Sequence, residues 1–326
     1  MIVYRPFGME RGRRFIALIP GILLLAALVY VALNYGKLAR FAQLVGNIDP
    51  FWIAVVCLFQ VATYFSLALV WHRAFAVYGI AYPLGTLFPL AFAKLFADQA
   101  FPSAGISGIA FVINAFRQRS VSAPVGMGVM LLTLLSYYVA FAIVAAASFV
   151  ALWLHHDFHQ WTVIVAALFF VFVVAVPGAI LLLKKRGIEN GLPLWLMRLP
   201  VIAGVVATFD DVPDDMLGKP GLLFEATVYQ TAIFALDAAT LWAMLSALGE
   251  PAGFAVAFAA FVVATIVATL SLIPLGLGSF ELTCAGLLVS LGARLETALT
   301  ATLLLRGFTV WLPMIPGLLL TRRELR

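Results

Sequence analysis

Charge and cysteine are both scarce in this chain. Only 11% of its 326 residues are Asp, Glu, Lys or Arg, whereas a soluble globular protein carries about 25%. Its two cysteines, Cys57 and Cys284, lie far apart in separate apolar runs, so they indicate neither a disulfide framework nor a zinc site. We interpret both as small buried apolar residues. The low charge excludes an ordinary soluble domain.

Sequence signatures of enzymes are also missing. The chain contains no GxSxG, HExxH or Walker A motif, so no nucleophile elbow, zinc protease site or nucleotide-binding loop is indicated. Two polar clusters resemble metal sites only superficially. The acidic pairs within 210–215 and the histidines within 155–159 are each expected to form a solvated loop. We therefore predict no enzyme activity, no cofactor and no metal.

Long apolar runs are abundant. Hydrophobic residues make up 64% of the chain, and several uncharged runs exceed the roughly 18 residues that indicate a membrane-spanning helix. The sequence therefore predicts an all-α polytopic integral membrane protein, with about eight transmembrane helices and a re-entrant helical hairpin.

The net charge of +5 does not indicate nucleic-acid binding. Basic residues flank the apolar runs, as the positive-inside rule requires of cytoplasmic loops, and no water-exposed basic domain is visible. Most of the 20 Lys and Arg residues fall on segments that we assign to the cytoplasm. We therefore predict that both termini are cytoplasmic and that the partners are membrane lipids, with no nucleic acid.

The chain is predicted to form a single membrane domain over residues 1–326. A polar cytoplasmic linker, 187–220, separates an N-terminal half, 1–186, from a C-terminal half, 221–326. The first apolar run, 15–33, follows four arginines and could be a signal peptide. Because the run is long and lacks a clear cleavage site, we interpret it as an uncleaved first helix.

Residues 83–116 are irregular for a membrane protein. Two short apolar runs flank a tip rich in Pro, Gly and Ser, and basic residues follow the second run. Each run is shorter than an ordinary crossing. A re-entrant hairpin is the favoured interpretation, and two tilted full crossings are the alternative.

The segment 273–281 interrupts the apolar pattern near the C-terminus. Pro274 removes a backbone donor, and Gly276 and Gly278 permit backbone angles that are closed to other residues. Glu281 then places a carboxylate just inside the next apolar run. Because unwound backbone and buried acids occur in membranes only where protein or a water-filled cavity covers them, this segment predicts a broken helix at a polar site.

A similar break occurs in the N-terminal half. Pro102, Gly105 and Gly108 have a spacing that resembles the second break, and each break opens a short apolar run. Interrupted helices at corresponding positions of two halves point to a transporter built from repeats, which leaves a two-half repeat open here. We expect the two breaks to border one cavity, where their backbone N–H groups would contact a phosphate.

Several ionisable residues lie at membrane depth, where each costs about 2.5–3.5 kcal/mol on insertion scales. Asp237 and Arg306 lie near the middle of their predicted spans, so we expect them to pair, and such a pair could be purely structural. Glu225 and Lys94 lie nearer the ends of theirs, where snorkelling explains a charge. The candidate substrate-binding residues are Pro102, Gly105, Gly108, Asp237, Pro274, Gly276, Gly278, Glu281 and Arg306.

The two breaks and their flanks also resemble a known family. Residues 273–281 with 304–308, and residues 101–108 with 116–119, are similar to the flippase-like transmembrane domain of lysylphosphatidylglycerol synthases. One difference is that the family often has Pro-Gly-Gly-Leu-Gly, whereas Leu275 follows the proline here. The resemblance implies a helical domain with re-entrant helices that moves or handles lipids, in which Glu281 and Arg306 match the family's acid and arginine.

The resemblance also implies limits on function. The synthases add a large soluble domain after the membrane part, whereas this chain ends at Arg326, so we expect a stand-alone member without synthase activity. The leading hypothesis is a flippase-like transporter for an anionic, polyprenyl or hopanoid lipid in the bacterial cytoplasmic membrane. The alternatives are a non-transporting subunit or scaffold of a lipid-modifying enzyme and an intramembrane enzyme acting on a lipid-linked sugar. A homo-oligomer and a lipid-modifying enzyme partner stay open.

Overall fold

A computed structural model describes residues 46, 48–100, 106–154, 160–186, 219–271, 273 and 276–324. The predicted first span, the histidine loop and nearly all of the linker lie outside the described residues, as do Pro102, Gly105 and Pro274. The chain divides into two units, Met1–Ile48 and Asp49–Arg326. Every helix from Pro50 onward lies in the second unit.

The described residues form helices and turns and contain no strand. The helices are α1 (Pro50–Val77), α2 (Leu84–Ala100), α3 (Ile106–Arg117), α4 (Ala123–Leu154), α5 (Gln160–Arg186), α6 (Pro220–Ala247), α7 (Phe254–Leu270), α8 (Ser279–Ser290), α9 (Leu295–Arg306) and α10 (Leu312–Glu324), with a π-helical segment, Gly307–Trp311, joining α9 to α10.

The prediction of an all-helical membrane protein is confirmed for the described residues. Four helical stretches are long and apolar enough to cross a bilayer, namely Pro50–Val77, Ala123–Leu154, Pro220–Ala247 and Leu295–Thr321. Shorter apolar helices accompany them. The described part of the chain therefore gives four full-length candidates plus shorter helices, where the sequence predicted about eight crossings.

Local chemistry explains where the long helices begin and end. Proline occupies the first position of α1 and of α6, where its missing N–H would have no helical partner in any case. The Asp49 side chain accepts a hydrogen bond from Phe51 N at the start of α1. Gly79 and Gly249, with φ of +69° and +71°, end the two helices in the left-handed conformation that favours glycine.

Helix lengths recur between the two halves. Helices α1 and α6 each contain 28 residues, and their first residues, Pro50 and Pro220, are 170 positions apart. Helices α2 and α7 each contain 17 residues and begin 170 positions apart, at Leu84 and Phe254. Helices α3 and α8 each contain 12 residues. Each half thus has a long helix, a shorter helix, a break and a very short helix.

Helices α1 and α6 pack together in antiparallel orientation. The end of α1 meets the start of α6 through an ion pair between Arg73 and Glu225, at 2.7 Å. The start of α1 meets the end of α6 through an edge-to-face contact of Trp52 with Trp242. Helix α6 also contacts α4, α7 and α9, so it forms the centre of the unit.

Helix α2 continues further than the sequence predicted. It passes through Pro89 and Lys94 and ends at Ala100, so Asp98 lies inside a helix and not in the tip of a hairpin. Residues 101–105, between the end of α2 and the start of α3, lie outside the described residues. The second break lies between α7 and α8, over 271–278.

Candidate functional site

The second break is organised by hydrogen bonds between its own residues. Gly276 N donates to Ile273 O at 2.8 Å, and the Ser279 hydroxyl donates to Gly276 O at 3.0 Å. The hydroxyls of Ser271 and Ser279 lie 3.0 Å apart, which joins the end of α7 to the start of α8. Gly276 adopts φ +60°, and a Cβ there would lie 2.5 Å from the Cβ of Ala268. Only glycine lets the chain turn this close to α7.

Glu281 has two partners at the start of α8. Its Oε2 accepts from Gly278 N at 2.7 Å, which caps a backbone donor that the helix leaves open. Its Oε1 accepts from Arg306 Nε at 2.8 Å. Both side chains are largely buried, with exposures of 18% for Glu281 and 14% for Arg306. The acid therefore ties the break to helix α9.

Arg306 is held on a second side by an aromatic ring. Its guanidinium carbon lies 4.9 Å from the centre of the Phe280 ring, within the range of a cation–π interaction. Phe280 is buried, with an exposure of 4%. The ring and the carboxylate together fix the guanidinium of Arg306, which lies within the candidate membrane span Leu295–Thr321.

A cavity of about 460 Å³ lies beside this arrangement. Residues of α4, α6, α7, α8, the second break, α9 and the π-helical segment line it: Tyr137, Asp237, Phe261, Thr265, Ala268, Thr269, Gly276, Phe280, Arg306, Thr309 and Val310. The lining mixes apolar side chains with hydroxyls and two charged groups. Its volume falls within the range of ordinary ligand pockets.

Asp237 lies on the α6 wall of this cavity. Its Oδ1 is 3.2 Å from Gln60 Nε2 and 3.5 Å from the hydroxyl of Thr63, both on α1. Arg306 pairs with Glu281, so the expected pairing of Asp237 with Arg306 is not the arrangement seen. Instead, both charges line one cavity from different helices.

Gln60 itself lines a second, apolar pocket of about 250 Å³. Its lining residues, from α1, α2, the π-helical segment and α10, are Cys57, Gln60, Val61, Tyr64, Phe92, Phe308, Leu312, Pro313, Ile315 and Pro316. In the π-helical segment, Phe308 lines this pocket, whereas Thr309 lines the polar cavity. The Gln60–Asp237 contact therefore joins a residue of the apolar pocket to a residue of the polar cavity.

The first break has a separate polar cluster. Lys94 Nζ and Asp98 Oδ2 form an ion pair at 2.7 Å, and Asp98 Oδ1 accepts from Gly108 N at 2.9 Å. A Cβ at Gly108 would overlap the carboxylate of Asp98. Among the described residues of α2 and α3, none lines the polar cavity. The structure therefore groups Gly108 with Lys94 and Asp98.

The predicted site residues divide accordingly. Gly276, Arg306 and Asp237 line the polar cavity, and Glu281 is bound to Arg306. The N–H groups of Gly108, Gly276 and Gly278 each donate to an acceptor of the protein. Phosphate binding through these three groups stays a prediction, and it requires those hydrogen bonds to open.

Sequence reasoning did not find the contacts of Gln60 and Thr63 with Asp237, nor Tyr137 or the π-helical segment. Gln60 is a polar residue in an apolar run, which is a usable signal for a buried contact. The π-helical segment also has a signal in the sequence. Pro313 has no N–H to donate to the carbonyl of Thr309. The N–H of the preceding residue, Leu312, bonds to Gly307 O, five residues earlier. Such bulges are frequent at functional sites. Tyr137 has no comparable local signal.

These features define a class of protein: a polytopic helical membrane protein in which a broken helix and buried charges border a cavity. Residues 18–317 match the model of a family described as the lysylphosphatidylglycerol synthase TM region. The chain belongs to this family, which confirms the resemblance drawn from the two breaks. No curated protein matches the chain.

Proposed function

We propose that this protein moves a lipid with an anionic headgroup across the bacterial cytoplasmic membrane. The observation that carries the proposal is the polar cavity, where Arg306 supplies a guanidinium beside the broken helix. A guanidinium is the side chain best suited to a phosphate. Family membership supports a lipid-related role, and transport is the finer step proposed here.

The apolar pocket supports a path for the lipid chains. Gln60 contributes to the wall of the pocket and also contacts Asp237 on the wall of the polar cavity. A headgroup in the polar cavity would therefore have an apolar surface one side chain away. Phospholipid, polyprenyl and hopanoid lipids each combine a polar end with a long apolar body.

The relation between the two halves also supports transport. Equal helix lengths, a shared 170-residue offset and antiparallel packing of α1 with α6 are what an inverted-topology repeat produces. Many transporters are built from such repeats, with broken helices at the substrate site and alternating access by movement of one repeat against the other. We infer that rearrangement of these halves moves the headgroup, with no chemical step.

The test is lipid movement in liposomes that contain the purified protein. Fluorescent phosphatidylglycerol, a polyprenyl phosphate and a neutral hopanoid analogue are compared, and a membrane-impermeant quencher reports the leaflet that each occupies. We expect faster transbilayer movement of the two anionic lipids. The matched variants are Arg306→Gln, which should slow this movement at least about tenfold because it removes a charge-assisted hydrogen bond to the headgroup, and Arg73→Gln, which should not.

Absence of acceleration for every lipid would overturn the proposal. Full activity of Arg306→Gln and of Glu281→Gln would also contradict the assignment of this cavity as the headgroup site. Arg73 is a suitable control because its ion pair with Glu225 is far more exposed, at 48% and 40%, and neither residue lines the cavity.

A further inference from the structure

Asp237 carries a charge that the surrounding side chains compensate poorly. Gln60 Nε2 carries two hydrogens and donates both to Asp237 Oδ1, at 3.2 Å, and to the Thr240 hydroxyl, at 2.9 Å. The single hydroxyl hydrogen of Thr63 has a nearer acceptor in Phe59 O, at 3.1 Å, than in Asp237 Oδ1, at 3.5 Å. The side-chain donors that reach the carboxylate, at 3.2 and 3.5 Å, are thus both neutral, and no ion pair of Asp237 occurs within the described part of the chain.

The groups that face Asp237 come from every helix packed around α6. Helix α7 contributes only neutral hydroxyls to the cavity, Thr265 and Thr269. Of the titratable groups, Tyr137 on α4 and Arg306 on α9 line the same cavity as Asp237, and Tyr64 on α1 interacts electrostatically with it. Glu281 on α8 pairs with Arg306. The positive charge nearest the cavity is therefore already matched by Glu281.

The position of Asp237 in the fold is equally informative. Asp237 belongs to α6 and contacts Gln60 on α1. These two helices are the corresponding long helices of the two halves. The position 170 residues earlier, in α1, is Leu67, so the acid occurs in one half only. A single buried acid at the interface of two repeats lies where coupling ions bind in transporters.

We propose that Asp237 is a proton-binding site that couples lipid movement to the transmembrane proton gradient. The inference rests on the proposed function and adds the identity of the coupling ion. In one orientation of the halves, the carboxylate takes a proton from water in the cavity and becomes neutral. In the other orientation, it returns the proton to water on the opposite side.

The contacts favour a proton over a metal cation. Hard cations need several oxygen ligands directed at them, whereas Gln60 directs an N–H donor toward Asp237. No cluster of three acidic, histidine or cysteine residues suited to a metal occurs in the described residues. A proton needs only the carboxylate itself and access to water.

The experiment measures lipid distribution in liposomes with a pH difference across the membrane. If one proton moves with each lipid, a difference of one pH unit drives up to about a tenfold accumulation of fluorescent phosphatidylglycerol in one leaflet. Nigericin, which collapses the pH difference, should remove that accumulation. Asp237→Asn should abolish the response to the gradient, while Glu225→Gln, which removes an exposed acid on the same helix, should keep it.

Each outcome separates this inference from the proposed function. Wild-type protein that moves lipid but ignores the gradient overturns proton coupling and leaves transport intact. Asp237→Asn that still responds to the gradient also overturns it. Wild-type protein that moves no lipid overturns both.

A second measurement does not depend on a folded variant. Pyranine trapped inside the liposomes reports internal pH while phosphatidylglycerol moves through the wild-type protein. We expect a proton flux that starts with lipid movement and stops when the lipid is omitted. Lipid movement without any proton flux would contradict the proposal.

Discussion

Among single residues, Glu281 joins two separate elements. One carboxylate oxygen caps Gly278 N at the start of α8, and the other binds Arg306 on α9. If only the attraction between charges mattered, the acid and the arginine could exchange positions, because opposite charges attract whichever residue carries each. A cap requires an acceptor at position 281, since it must bind a backbone N–H. The two roles can therefore be separated by exchanging the charges.

We expect that exchanging the charges of Glu281 and Arg306 will not restore the stability that either single substitution removes. Glu281→Gln and Arg306→Gln should each lower the free energy of unfolding by about 1–3 kcal/mol, because each removes one charge of a largely buried ion pair. The double variant Glu281→Arg with Arg306→Glu restores opposite charges but removes the acceptor for Gly278 N. It also places a cation at the positive end of α8. It should be no more stable than either single variant.

The buried thiol of Cys284, with an exposure of 0%, provides the measurement. In a Cys57→Ala background, a thiol-reactive fluorophore reports the temperature at which Cys284 becomes accessible in detergent. Wild-type stability of the exchanged double variant would show that the ion pair alone matters and that the cap does not.

Gly276 gives a second prediction for a single position. Gly276→Ala adds a Cβ that would lie 2.5 Å from Ala268 Cβ, at φ +60°. Gly249→Ala, at φ +71°, has no atom within 4 Å of the added Cβ, so it isolates the backbone cost of about 1–2 kcal/mol. We expect Gly276→Ala to lose clearly more stability than Gly249→Ala in the same assay, since it adds the clash.

The same comparison tests the site. Gly276 lines the polar cavity, so Gly276→Ala should also slow lipid movement, while Gly249→Ala should not. Equal stability and equal transport in the two variants would contradict the close approach of the break to α7.

Several features of the candidate site could be predicted from the sequence. Proline and glycine marked the second break, and an acid or arginine in an apolar run is conspicuous, so Glu281, Arg306 and Asp237 were found. The partners of Asp237 were not found, because Gln60 and Asp237 are 177 positions apart and belong to different helices. Contacts between distant helices depend on packing geometry, which local periodicity does not contain.

Among helical elements, close packing depends on small residues. Within a bilayer, helices gain little from hydrophobic burial, so van der Waals contact between small residues contributes much of the association. Helix α10 packs on α2 in this way. A Cβ at Gly317 would lie 2.7 Å from Phe92 O and 2.8 Å from Phe96 Cβ. This contact holds the end of the last helix against the helix that precedes the first break.

Gly317→Ala should therefore separate α10 from α2. Overpacking of this kind costs about 1–3 kcal/mol, and backbone oxygen cannot move aside as a flexible side chain can. Gly286→Ala is the control, because it lies in α8 with no atom within 4 Å of the added Cβ, where alanine gains up to about 1 kcal/mol in helix propensity. The Cys284 assay should place the two variants on opposite sides of the wild type. A neutral Gly317→Ala would contradict the tight contact.

Helix boundaries were predictable to within a few residues, and the exceptions have physical reasons. Within 83–116 the sequence predicted a short apolar run followed by a polar tip, and we placed Asp98 in that tip, but α2 continues to Ala100. The Lys94–Asp98 pair has i, i+4 spacing, which stabilises a helix instead of ending it. Lys94 and Asp98 pair with each other within a helix, whereas we had interpreted the polar residues as the start of a loop.

At the scale of the whole molecule, the two halves have similar elements, and their long helices, α1 and α6, run in opposite directions. Antiparallel packing of α1 with α6 requires that the two helices cross the membrane in opposite directions. Each has 28 residues and so a length of about 42 Å, longer than the hydrocarbon core of about 30 Å. Neither the direction of packing nor the inversion could be predicted from helix lengths alone, because parallel repeats would give the same lengths.

The turns that follow these two helices should therefore face opposite sides of the membrane. Ala81 follows α1, and Ala252 follows α6. Single cysteines at these positions, in a chain with Cys57→Ala and Cys284→Ser, are labelled in intact cells with a membrane-impermeant maleimide. Because the positive-inside rule assigns the end of α1 to the cytoplasm, Ala252→Cys should be labelled at once and Ala81→Cys only after permeabilisation. A parallel repeat would expose both turns on one side, so labelling of both cysteines before permeabilisation, or of neither, would contradict the inverted arrangement and with it the rocking of one half against the other.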